Sequence, residues 1–487
     1  VSAAFIAPVD GLGLEPTAFF DSASIRLAAG ARAVTFYGQP ADDPAALTLT
    51  LALELDGRLE VLRTEVDRAR GYHALTPAYP ALHAFERELH EQHGVTPHFH
   101  PWLKPVRFPS PGPAGMRDYP FYALAGKEVH EVAVGPIHAG VIEPGHFRFM
   151  CLGELVQHLE IQLGYQHRGV EALLRRADPR TLTPLVETIT GDASVAHAWA
   201  FADALEALAG VEPSPEAEAS RGIGLELERI AMHLAGLSGM ANDVAFLQGA
   251  ATYGRLRTTV INTTMQVCGS RFGRGWVRPG SLRGALTGGL ADAVRAALVL
   301  VERDVRIING RMNASTSVNH RLAGVGTVTR AQALELGMVG AAARSSGVEI
   351  DLRRDLPGAL YDRLPVPAVL EPGGDCLARA LVRMREIDGS IAWIRAALDA
   401  HPGPQRSTRP IGPLAPRTLA IGLRESWRGE VVHALETTAE GTLRGYKVQD
   451  PSLRNWHGLA LAVRGNEISD FPICNKSFDL SYCGNDL

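Results

Sequence analysis

The run ASRGIGLELERIAMHLAGLSGMANDVAF, residues 219–246, carries apolar residues at Ile223, Leu227, Ile230, Leu234 and Leu237, stepping by 4, 3, 4 and 3. Such steps keep the apolar side chains on one face of a buried α-helix. Leu290, Val294, Leu298, Val301, Val305 and Ile308 repeat the pattern, and helical patterns also occur at 152–176, 194–208, 252–268, 330–345 and 375–398. Residues 131–487 are therefore expected to form a mainly α-helical domain. Its small β elements are a bent hairpin over 131–149 and a second hairpin from 430–437 and 443–448, followed by a short helix at 456–463.

Upstream of this domain the pattern changes. Residues 32–37 and 47–55 are β-rich and 80–92 is amphipathic, which predicts a small α+β domain over 1–110. Pro101, Pro105, Pro109, Pro111 and Pro113, with Gly112 and Gly115, oppose regular structure and predict an extended linker reaching to about residue 130. Of 487 residues, 46% are apolar and 21% charged, an ordinary globular balance. A net charge of −5 without a basic run gives nucleic acid or an anionic lipid surface no direct handle. The most apolar helix, 290–301, is broken by Asp292 and Arg295, so any membrane contact is expected to go through partners. Five scattered cysteines fit a reducing, cytoplasmic setting. The sequence opens on Val1 rather than Met, so a preceding segment is left open.

Three clusters stand close together: Gly135-Pro136-Ile137-His138, Glu143-Pro144-Gly145-His146-Phe147-Arg148 and Gly164-Tyr165-Gln166-His167-Arg168-Gly169. Together with Ser194-Val195-Ala196-His197-Ala198, Asp450-Pro451-Ser452, Asn455-Trp456 and Asp470-Phe471-Pro472, they resemble the large subunit of complex I and of the membrane-bound, energy-converting nickel-iron hydrogenases, formate hydrogenlyase included. The amino-terminal domain resembles the small complex I subunit that some of these hydrogenases fuse to the large one. The resemblance implies a complex-I-like small domain followed by a hydrogenase-large-subunit-like helical domain.

Hydrogenases of this family hold their metals with two Cys-x-x-Cys pairs, because a soft bimetallic site needs four converging thiolates. Cys151, Cys268, Cys376, Cys474 and Cys483 are 117, 108, 98 and 9 positions apart, so no such pair exists. Aligning the first ligand pair on Thr188 to Ala193 puts Thr190 and Ala193 at the thiolate positions, with His197 following. Aligning the second on Asp470 to Phe478 puts Pro472 and Asn475 there and Phe478 at the terminal His, nine residues before Leu487. Metal ligands are therefore expected to be absent, and Cys474 and Cys483 are read as packed thiols.

The family's proton and cavity groups map onto Glu143, His146, Arg428 in Trp427-Arg428-Gly429, and Asp470; these are the candidate catalytic residues of a relay. The alternative for Glu143 is a structural ion pair with Arg148 or Arg428. His138, His167, Arg168 and His197 are candidates for facing a partner's iron-sulfur cluster or lining the cavity, with a capping role for Arg168 as the bland alternative. Complex I grips a quinone with a Tyr and a His. Here the Tyr position falls on Thr188 and the His on His138 or His146, so a quinone-like ligand would lose one of its two handles. No cofactor is expected on this chain itself.

Six histidines between His73 and His100 lack cysteine companions, and Glu86, Glu88 and Glu91 fall on a predicted surface helix, so surface or interface histidines are preferred to a metal site. Gly222-x-Gly224 follows no strand and is no nucleotide loop. The resemblance implies an iron-sulfur small subunit, a ferredoxin-like subunit and antiporter-like membrane subunits as partners. Three functions fit: a metal-free oxidoreductase subunit coupled to an unknown acceptor or to ion translocation, a working hydrogenase, or a scaffold without a ligand of its own.

Overall fold

The structure, a computed structural model, describes residues 4–107, 116–138, 142–282, 286, 288–400 and 409–487. The linker signals Pro109, Pro111, Gly112, Pro113 and Gly115 lie outside the described residues. Residues Arg32–Pro40, Ala46–Leu55 and Arg58–Asp67 form an antiparallel meander, with the helix Pro16–Ala28 packed on the last strand. The helix His83–His93 packs on the first strand. It is not the surface helix read from the sequence: Glu86 and Glu88 are buried. Glu86 accepts the backbone N–H of Leu75 and Thr76, and Glu88 is ion-paired with Arg107 and Lys447, so the acids lie inside because each has a partner.

The strand Ala4–Pro8 joins a distant sheet. It pairs antiparallel with Thr418–Glu425, which continues to Glu430–Thr437 and Leu443–Gln449. The helix Ser194–Ala209 lies on this sheet so closely that a Cβ at Gly422 would stand 2.0 Å from the Ala200 carbonyl oxygen. Only glycine permits that approach. Val34, Tyr37 and Ala52 share one apolar cluster with Leu419, Ile421 and Val432, so the first hundred residues and the last seventy are packed together.

A third sheet runs Val129–Val134, His146–Leu152, Leu155–Gln162, all antiparallel. This corrects the helix expected over 152–176, of which only Val170–Arg176 is helical. Leu155, Leu159 and Leu163 are spaced by four, a step that suits a strand as well as a helix. The left-handed Gly153 (φ 58°) closes a tight hairpin that settles the choice. The helix expected over 330–345 is likewise split into Arg330–Glu335 and Gly340–Arg344, because Gly337 and Gly340 both adopt positive φ.

The long helices Pro215–Asp243, Leu247–Cys268, Gly288–Ala314 and Cys376–Ala400 form the main core. Inside it, Glu226, Glu386, Glu425 and Asp351 meet Arg229, Arg344 and Arg353, all buried. No helix among the described residues is long and apolar enough to cross a membrane.

Candidate functional site

Two turns far apart in the sequence meet. The first, Thr190 to Ala193, enters the helix Ser194–Ala209; the second, Ser481 to Leu487, carries the short helix Tyr482–Asp486. The Thr190 and Ser481 hydroxyls are 2.9 Å apart, and the Ser481 hydroxyl also accepts the Gly484 N–H at 2.9 Å. This contact corrects the alignment of the second ligand pair. The residue facing Thr190 is Ser481, in Asp479-Leu480-Ser481-x-x-Gly484, and neither Pro472 nor Asn475. Asp470-Phe471-Pro472 resembles the family's Asp-Pro start closely enough to mislead, while the same spacing nine residues later ends at Leu487 in the place of the terminal His.

Arg428 closes the first turn with two hydrogen bonds of 2.7 Å to the Asp192 carboxylate, and it also donates to the Asp479 carbonyl. Burial alone would push the Asp192 carboxyl up, but the Arg428 charge and hydrogen bonds hold it below its ordinary value. Arg428 is thus engaged in an ion pair, with Asp192 in the role that the sequence offers to Glu143. Glu143 instead accepts the Tyr482 N–H at 3.1 Å, at the start of the second turn. Beside it, burial and Glu143 push the Cys483 thiol up.

Beneath these turns lies a chain of buried groups. His197 Nε2 is 3.3 Å from Asp450 Oδ2, His197 Nδ1 is 3.0 Å from His433 Nε2, and His433 Nδ1 is 2.8 Å from the Tyr446 hydroxyl. An ionised Asp450 only accepts, so neutral rings take one polarity: Tyr446 donates to His433, His433 to His197, and His197 to Asp450. Burial pushes Asp450 up, but the His197 hydrogen bond and the Arg428 charge bring it below the usual carboxylate range. Burial holds His433 well below its ordinary value, which keeps it neutral. A Cβ at Gly484 would stand 2.6 to 2.9 Å from the Asp450 carboxyl group, so this acid fills the space beside the second turn.

Above the turns opens a cleft of about 980 Å³, lined by Glu143, Thr190, Asp192, Ser481 and Cys483 and rimmed by arginines. A neighbouring, more apolar cavity of about 600 Å³ contains His138, Phe147, Pro472, Asn475 and Tyr482. His146 lies against Phe121, with ring centroids 5.2 Å apart and planes tilted by 47°, and burial lowers its value, Arg148 and His138 adding to this. Asp470 stands apart, 3.9 Å from Arg321, and lines neither space. Thr188, at the quinone-handle position, gives its hydroxyl to the Leu185 carbonyl and also lines neither.

His167 and Arg168 bind the two turns together. Arg168 donates to the carbonyls of Thr188, Ile189 and Cys483, its backbone N–H donates to Leu487, and His167 Nδ1 lies 2.8 Å from the Asp486 carbonyl. Cys474 does not meet Cys483. It pairs with Cys376, whose thiol is lowered to about 6 by that contact and by Arg379.

The structure therefore brings together Glu143 and Arg428 at the turns and His197 below them, and leaves Asp470 and His146 outside. Asp192, His433, Tyr446, Asp450, Ser481 and Gly484 were missed as site residues. Only the Asp-x-x-x-x-Gly spacing at 479–484 could have pointed to the last two.

Residues 243–419 match the family described as "Respiratory-chain NADH dehydrogenase, 49 Kd subunit". Formate hydrogenlyase subunit 5 of Escherichia coli (strain K12) is 29% identical over 87% of this chain and 79% of its own length. The carbon monoxide-induced hydrogenase of Rhodospirillum rubrum is 30% identical over 72% of this chain and 97% of its own length. An NADH-quinone oxidoreductase subunit of Geobacillus thermodenitrificans is 27% identical over 71% of this chain and 95% of its own length. The chain belongs to the family of complex-I-like large subunits that includes those of NADH-quinone oxidoreductase and the related hydrogenases.

Proposed function

We propose that this subunit works without a nickel-iron centre, inside a membrane-associated oxidoreductase, peripheral on the cytoplasmic face. The observation that carries the reading is the contact between Thr190 and Ser481. Two hydroxyls, a methyl group at Ala193 and a glycine at 484 occupy the four ligand positions, and this set of hard or absent donors does not fit a soft bimetallic centre. Asp450, pressed against Gly484, supports the same conclusion. Electrons would come from an iron-sulfur small subunit, with a ferredoxin-like subunit and antiporter-like membrane subunits completing the assembly. They would serve an acceptor in the cleft or drive a conformational change toward ion translocation.

The chain's own residues would handle the proton. Asp450, His197, His433 and Tyr446 form an unbroken donor-acceptor line, and Glu171, whose charge raises the Tyr446 value alongside burial, lies half-buried beyond its end. Such a line passes a proton without exposing the floor of the cleft to solvent. A quinone-like ligand finds neither handle in the cleft, since Thr188 is bonded elsewhere, His138 lies in the adjoining cavity and His146 lines neither space. Replacing His433 by Gln tests the relay. Turnover of the purified complex should fall by about a hundredfold while all subunits still co-purify. Unchanged turnover would favour the scaffold reading.

A further inference from the structure

Arg257, Arg271, Arg274 and Lys476 all line the cleft, and none is within ion-pair distance of a carboxylate among the described residues. The arrangement is specific. An Arg274 guanidinium nitrogen lies 3.9 Å from where a Cβ on Gly191 would be, which puts it over the Thr190 to Ala193 turn. Arg257 and Arg271 flank one ring, their guanidinium carbons 5.8 and 5.4 Å from the centre of Phe272. Lys476 closes the opposite side, against Gly239 and facing the charges of Asp243 and Asp479. Of the three acids in the lining, Asp192 is already neutralised by Arg428, and burial raises Asp479 toward its neutral form.

In a chain with 53 acidic and 48 basic residues, four cations around one cleft, none of them ion-paired among the described residues, repel one another. Dihydrogen and a quinone headgroup are neutral and gain nothing from such a field. An oxyanion does: forked guanidinium groups match the paired oxygens of a carboxylate or phosphate, and the Phe272 ring holds two of them in place. We infer that the cleft binds an oxyanion-bearing small molecule, a carboxylate or a phosphate, with Arg271 and Arg274 as its principal contacts. The inference deepens the proposed function by giving the chemical class of the ligand, and it rests on the reading that the cleft holds no metal centre.

The test is calorimetric titration of the purified complex with succinate and with inorganic phosphate at constant ionic strength, for the wild type, Arg271→Gln/Arg274→Gln and Arg306→Gln, the last on an exposed helix face. At least one of the two probes should bind saturably. The double variant should bind it about tenfold more weakly or worse, and Arg306→Gln should not differ from wild type. The inference is overturned if neither probe binds above a chloride blank, or if the double variant binds equally well. It is also overturned if the double variant loses its partner subunits, which would assign these cations to an acidic docking surface. Nickel content, measured on the same preparation, reports separately on the metal-free reading.

Discussion

Glu228 sits under the first turn, buried, its carboxylate accepting the N–H groups of Val195 at 2.7 Å and Ala196 at 3.3 Å with no cation bonded to it among the described residues. Burial pushes its carboxyl from 4.5 up to about 8. Because the folded value lies above the unfolded one, the folded state keeps a proton that the unfolded chain has released between those limits. The stabilisation is complete below about pH 4.5 and is lost as pH rises toward 8. Glu228→Gln removes this titration. The difference in unfolding free energy between variant and wild type should therefore change in the variant's favour by a few kcal/mol (order of magnitude) from pH 5 to pH 8. A pH-independent difference in denaturant titrations would contradict the assignment. Glu228 is illegible in the sequence, where Glu226 and Glu228 look alike; only the fold shows that Glu226 faces Arg229 and Arg353 while Glu228 faces backbone amides. Glu143 and Arg428 are legible because their motifs are local. Ser481 and Gly484 leave only a faint trace, the Asp-x-x-x-x-Gly spacing at 479–484.

Elements are held to one another by buried charge. Arg344, on the short helix Gly340–Arg344, bonds Glu386 of the helix Cys376–Ala400 and Glu425 of the strand Thr418–Glu425, at 2.8 and 2.7 Å. Arg344→Ala leaves both carboxylates buried without their common partner, a loss of about 3–5 kcal/mol. Urea unfolding should show it, and a loss within error of zero would mean that the network reorganises. The long helices are legible from their apolar steps, which burial enforces over six or more turns. The strand Leu155–Gln162 is not, because a four-residue step satisfies two periodicities and a single left-handed glycine decides between them.

The molecule as a whole ties its beginning to its end. Ala4–Pro8 pairs with Thr418–Glu425, and the meander Arg32–Asp67 shares apolar packing with that sheet, contacts that span about four hundred residues and leave no local trace in the sequence. The carboxy-terminal turn, clamped by Arg168 and Arg107, is thereby held against Thr190. Relatives that are subunits of multisubunit complexes support a place in a complex for this chain too. The proposed absence of a nickel-iron centre rests on the chemistry of four positions, Thr190, Ala193, Ser481 and Gly484. The most direct measurement is the metal content of the intact complex, purified from cells supplied with nickel and quantified per copy of this chain by elemental mass spectrometry. Iron in proportion to the partner clusters and only background nickel are expected, while one nickel per chain would contradict the metal-free reading.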